Sequence, residues 1–149
     1  MKNTNQDIEK FAGTWQLTAY EMRLDDGTVM YPLGKDAVGR LMYDGYGLFS
    51  AQLMKPGRPD FASGNVYGGT VAETEAAYNG YLAYFGSYKL DNDHNMLHHV
   101  ESSVFPNWIG ETQVRAYVFT GENQMSLSTP PLDVGGKKGV SVLLWNRYP

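Results

Sequence analysis

Turn-forming residues cut this chain into short runs of β-branched and aromatic residues, and that punctuation constrains its fold more than any other feature. The turns are Asp25-Asp26-Gly27, Asp44-Gly45-Tyr46-Gly47, Asp91-Asn92-Asp93, Gly121-Glu122-Asn123 and Gly135-Gly136-Lys137-Lys138-Gly139. Between and around them, residues 14–23, 28–31, 39–43, 48–54, 87–90, 96–104, 112–120, 124–128 and 140–147 read as strands. Such spacing gives a mainly β, antiparallel fold, either a sandwich or a closed up-and-down barrel of eight or nine strands. The period changes once. Thr70-Val71-Ala72-Glu73 fits a capping box, and Ala77, Tyr78, Tyr81, Leu82 and Phe85 share one helical face. One inserted helix over about 70–83 is expected, weakened by Gly80.

At 149 residues the chain has the length of a single domain, 1–149. The Pro- and Gly-rich stretch at 55–69 is a long loop within it, the kind that is functional or mobile. A net charge of -4 argues against nucleic acid and anionic membrane as partners, because both are bound through clustered cations. With no cysteine, disulfides, thiol nucleophiles and zinc–thiolate sites are excluded. The opening residues are polar, with no apolar core of a signal peptide, and no apolar run approaches transmembrane length. A soluble, cytoplasmic protein is the expectation. Eleven Tyr, six Phe and three Trp raise the prospect of an aromatic-lined pocket, beside the plainer reading of aromatic core packing.

Gly13-Thr14-Trp15 opens the strand series and Trp145-Asn146-Arg147 closes it, a pairing that resembles the lipocalin (calycin) pattern. Between them lie Gly39-Arg40-Leu41-Met42-Tyr43-Asp44, Tyr84-Phe85-Gly86-Ser87-Tyr88, His98-His99-Val100-Glu101, Pro106-Asn107-Trp108-Ile109-Gly110 and Gln113-Val114-Arg115. These blocks, in this order, look like those of the bacterial and fungal lipocalin-like domain family. The resemblance implies a closed barrel in which Trp15 fills one end and Arg147 packs across it. A barrel of this strand number has room for one small ligand. Fold does not settle chemistry, and the missing cysteines and leader give no support to an extracellular carrier.

Alternation along 96–103 puts Met96, His98, Val100 and Ser102 on one face and Leu97, His99, Glu101 and Ser103 on the other. The second set is more polar, so His98 leans inward. There it could orient a ligand or act as general base, or it could be a hydrogen-bonded core histidine. Alternation and the strand's length separating His94 argue against a zinc site built from His94, His98 and His99, and neither metal nor cofactor is expected. Arg115 facing inward would need an anionic partner, either Glu101 or a ligand carboxylate, enolate or phosphate. Pattern argues the other way, since Val114, Ala116 and Val118 make the smoother core face. Tyr43, Tyr84 and Trp108 are the aromatic pocket candidates and Gln52 a neutral polar contact, against a reading in which most are core. Glu21, Asp25 and Asp26 fit a solvated turn. The absence of G-x-S-x-G weighs against an ordinary hydrolase.

Three functions fit these residues. The first is a carrier enclosing a small hydrophobic or amphipathic molecule, with the helix and the 55–69 loop over the barrel mouth. The second is a cofactor-independent cyclase, isomerase or hydratase, with His98 as acid–base and Arg115 or a Tyr steadying negative charge. The third is an interaction module with a filled barrel. Homo-oligomerisation through an aromatic outer face stays open.

Overall fold

The computed structural model describes residues 4–149; Met1, Lys2 and Asn3, part of the polar opening segment, lie outside them. A helix α1 (Thr4–Phe11) leads into β1 (Gly13–Leu24), the short β2 (Val29–Met30), β3 (Val38–Tyr43) and β4 (Leu48–Met54). The helix α2 (Val71–Asn79) follows, then β5 (Tyr81–Leu90), β6 (Asn95–Ser103) and a 3-10 turn at Pro106–Trp108. The chain ends with β7 (Thr112–Gly121), β8 (Gln124–Ser128), β9 (Leu132–Val134) and β10 (Lys137–Arg147). Neighbours run β2-β1-β3-β4-β5-β6-β7-β8-β10-β9, and β1 pairs with β10 to close the sheet. The result is an eight-strand antiparallel barrel with β2 and β9 added as short flanking ribbons. The closed barrel expected above is the observed fold.

Two irregularities decide which side chains point inward. Between Leu17 and Ala19 the β1–β10 register shifts by a residue. Trp15 and Leu17 are buried on one side of that bulge, and beyond it the inward positions become Tyr20 and Met22. A second shift falls between Phe85 and Gly86, where β5 crosses close over β6. A Cβ at Gly86 would lie 1.8 Å from the His99 carbonyl oxygen, so only glycine fits.

The inserted helix is shorter than expected. Thr70 caps it through the predicted box, its hydroxyl accepting from the Glu73 amide while the Glu73 carboxylate accepts from the Thr70 amide. It ends at Gly80, and Tyr81, Leu82 and Phe85 belong to β5. Their helical spacing was coincidental: Leu82 and Tyr84 alternate inward and pair with Leu53 and Ala51 of β4. A sheet partner along the whole segment outweighs a helix extended through glycine. No residue of α2 is buried, so Tyr78 and Tyr81 do not dock it as a core face. Besides the cap, the helix is held by the preceding loop, where Arg58 donates to the Ala77 carbonyl and the Ala62 amide donates to the Glu73 carboxylate. Thr70→Ala should cost about 1 kcal/mol of helix stability. Hydrogen exchange should show faster amides at 71–79 while the barrel strands keep their protection. Equal loss of protection in the barrel would show that α2 is coupled to the core.

Among the described residues no helix is long and apolar enough to cross a membrane.

Candidate functional site

One end of the barrel is plugged. The Trp15 indole is fully buried and donates from Nε1 to the Phe11 carbonyl at 2.9 Å. The Arg147 guanidinium lies over the indole, 4.2 Å from the ring centroid, and donates to the Ala12 and Lys10 carbonyls. Each half of this pair satisfies the other: the ring gives the cation a face, and the carbonyls at the end of α1 take its donors. Phe11 packs edge-on against Tyr43 and Tyr117, which extends the plug inward.

Above the plug lies a cavity of about 450 Å³, at the small end of the roughly 300–1,000 Å³ typical of ligand sites. The interior is therefore not filled. Leu41, Leu53, Leu82, Leu127 and Leu143 supply most of an apolar wall. Trp108, Glu111, Thr112, Pro130, Leu132 and Met22 lie around the mouth, on the connections after β6 and β8 and near the end of β1. None of the lining residues comes from 55–79, the segment that joins β4 to β5 at this same end of the barrel.

His98 sits at the cavity floor and His99 points outward, where its Nδ1 lies 3.2 Å from the Thr112 hydroxyl. His98 stacks on Phe49 at 4.2 Å and shares a 2.7 Å hydrogen bond between Nε2 and the Tyr43 hydroxyl. Burial, followed by the nearby Arg115 charge, pushes its pKa down to about 3. At neutral pH it is an uncharged imidazole. Burial likewise raises the pKa of Tyr43, Tyr84 and Tyr20, so all three remain neutral hydroxyls.

Among the described residues three buried polar atoms lack a protein partner: His98 Nδ1, Gln113 Oε1 and Trp145 Nε1. All three belong to side chains that line this cavity. Buried polar atoms are nearly always paired, so orphans gathered around one void point to a missing occupant. Among the described residues no group of three or more His, Asp or Glu is placed to hold a metal.

A family model described as a lipocalin-like domain matches residues 12–148. The chain belongs to that family. An Aspergillus oryzae relative, named 4'-hydroxy-3'-methoxypropiophenone carrier protein ppsC, is 34% identical over 107 residues, covering 67% of this chain and 96% of the relative. Among solved structures, a redesigned beta barrel aligns with 95% of each chain at 10% identity and a TM-score of 0.43. A de novo designed fluorescence-activating beta barrel aligns with 99% of this chain and 100% of its own at 11% identity and a TM-score of 0.44.

Within this lipocalin-like barrel the residues singled out from the sequence divide. His98, Tyr84, Trp108 and Arg115 line the cavity, with Tyr84 and Trp108 edge to face at 5.4 Å. Tyr43 does not: it lies beneath His98 and acts on the cavity only by holding that ring. Gln52 is exposed on the outer surface, where it accepts from the Tyr81 hydroxyl at 3.1 Å. It alternates out of the barrel because Ala51 and Leu53 alternate in. Arg115 reverses the pattern-based expectation. Gln113 and Tyr117 are buried on its side of β7, whereas Val114 and Val118 are exposed on the other. The Glu101 suggested as its partner is exposed on the outer face of β6.

Sequence reasoning missed Trp145, Gln113, Tyr20 and Ser141 as lining residues. Counting back by twos from Arg147 finds Trp145 and Leu143, and from Arg115 finds Gln113. Nothing local announces Tyr20, because the β1 bulge that turns it inward has no marker residue.

Proposed function

We propose that this protein binds one small, largely apolar molecule, with an aromatic body and a few polar atoms, inside the barrel and acts as its carrier. The cavity lined by leucines and by three orphaned polar atoms carries the reading. Such a site takes an apolar body and rewards a few placed donors and acceptors on it. The Aspergillus relative is named as a carrier of a hydroxylated, methoxylated aryl ketone, which has that character. The cysteine-free sequence suits a reducing compartment, and cytoplasmic residence belongs to this proposal.

The enzyme reading has less support. Acid–base catalysis works best with a pKa near the operating pH, and His98 at about 3 is neither charged nor a strong base there.

The test uses the full chain and 4'-hydroxy-3'-methoxypropiophenone as first probe. Native mass spectrometry of freshly purified protein should show a co-purified small molecule or a one-to-one adduct with the probe. Titration should change tryptophan emission through Trp108 and Trp145, and Trp108→Ala should weaken binding about tenfold. Saturable binding left unchanged by substitutions throughout the cavity would place the ligand elsewhere and end this proposal.

A further inference from the structure

We propose that the cavity selects a negatively charged ligand, an aromatic or similarly apolar body carrying a carboxylate or another acidic oxygen, and that Arg115 recognises the charge. This rests on the small-molecule reading above and narrows its ligand class.

The first support is the inverted patterning of β7. Alternation exposes Val114 and Val118 to the outside and turns Arg115 into the barrel, between the buried Gln113 and Tyr117. A sequence that breaks its own core pattern does so most often at a functional site.

The second is the missing counter-charge. Arg115 donates to the neighbouring Val114 carbonyl at 3.0 Å and has no ion pair among the described residues. Tyr20 and Tyr84 share the cavity as neutral hydroxyls, and His98 is neutral as well. Among the described residues the one carboxylate on the lining is Glu111, exposed at the rim. It stands four residues before Arg115, just ahead of β7, about 13 Å away along an extended chain. Half-buried on a largely apolar wall, the Arg115 guanidinium is partly desolvated without an anion, and an anionic ligand would offset that cost. Its planar fork also matches a carboxylate with two parallel hydrogen bonds. A neutral ketone or alcohol would be served by Gln113 and Trp145 and would leave Arg115 unexplained.

The experiment compares 4-methoxycinnamate with 4-methoxycinnamamide, close in shape and different in charge, by calorimetric titration at pH 7 and low salt. The acid should bind the wild-type chain at least about tenfold more tightly than the amide. Arg115→Met should remove that preference while moving amide affinity by less than about threefold. Arg115→Lys should keep part of it. The ligand-free Arg115→Met protein should melt no lower than wild type, because a half-buried, unpaired charge has been taken off the cavity wall. Arg115→Gln repeats the comparison should the Met variant fail to fold. Equal binding of acid and amide by the wild type overturns this inference and leaves the carrier reading standing. So does equal weakening of both probes by the substitution, since Arg115 would then only shape the wall. Binding of neither probe, with none of the aryl ketone above, overturns both.

Discussion

Replacing Trp15 with alanine is expected to lower the unfolding free energy by about 4–5 kcal/mol, read from the urea midpoint at constant slope. Truncating a buried Trp typically costs about 3–5 kcal/mol, because neighbours collapse only partly into the void. Here the neighbours are the strands of a closed barrel, whose backbone ladders hold the circumference fixed. The Nε1 bond to the Phe11 carbonyl is lost too, worth about 1 kcal/mol net. Arg147 would keep its carbonyl partners at the end of α1 and lose the ring beneath it. Trp15→Phe should keep most of the burial and forfeit the hydrogen bond, landing near 1–2 kcal/mol, as a rough figure. A Trp15→Ala protein within 1 kcal/mol or so of wild type would show that α1 and Phe11 seal the end without it.

That plug was legible in the sequence because its motif joins the two chain ends, and closure of a barrel requires the first and last strands to meet. The strand series was legible for a similar reason: tight turns rich in Gly and Asp announce themselves residue by residue. The inward list was harder to read. It depends on parity, and a single inserted residue reverses parity for everything beyond it. The β1 bulge does this to Tyr20 and Met22, and the shift beside Gly86 sets Tyr84 against Ser103. Arg115 was misjudged by rules that describe folding, because those rules prefer Val114, Ala116 and Val118 inside. The inserted helix was legible at its start, through the Thr70–Glu73 box, and misread only at its end. Aromatic residues at 78–85 match a helical face by number alone, and only the β4 partner shows that the segment from Tyr81 onward is strand. The cavity was therefore foreseeable as a place, while its wall needed the register of every strand.

Stability is expected to fall as the solution is acidified from pH 7 to 5, by about 2 kcal/mol, and His98 is the cause. Its folded pKa of about 3 lies below the ordinary 6.5, so the unfolded chain binds the proton more readily. The contribution is fully present above 6.5, declines at about 1.4 kcal/mol per pH unit below it, and is exhausted only near pH 3. Depressed carboxylates act lower in the scale: Asp7, Asp44, Asp91 and Glu73 start from ordinary values of 3.8 or 4.5. The window between pH 5 and 6.5 thus isolates the imidazole. The groups facing it add to the effect, since Phe49 and Tyr84 pack against the ring and Arg115 repels a second cation. His98→Phe alone would strand the Tyr43 hydroxyl, so the informative variant is Tyr43→Phe with His98→Phe. Removing both partners of a buried hydrogen bond is close to neutral at pH 7, whereas removing one leaves the other unpaired. The double variant should unfold at the same urea concentration at pH 7 and pH 5, while the wild type shifts downward. A wild-type midpoint that does not move between those pH values would mean that His98 gains its proton in the folded barrel, through water admitted to the cavity floor. The cavity floor would then carry charge into the site, and the neutral imidazole assigned to it here would be wrong.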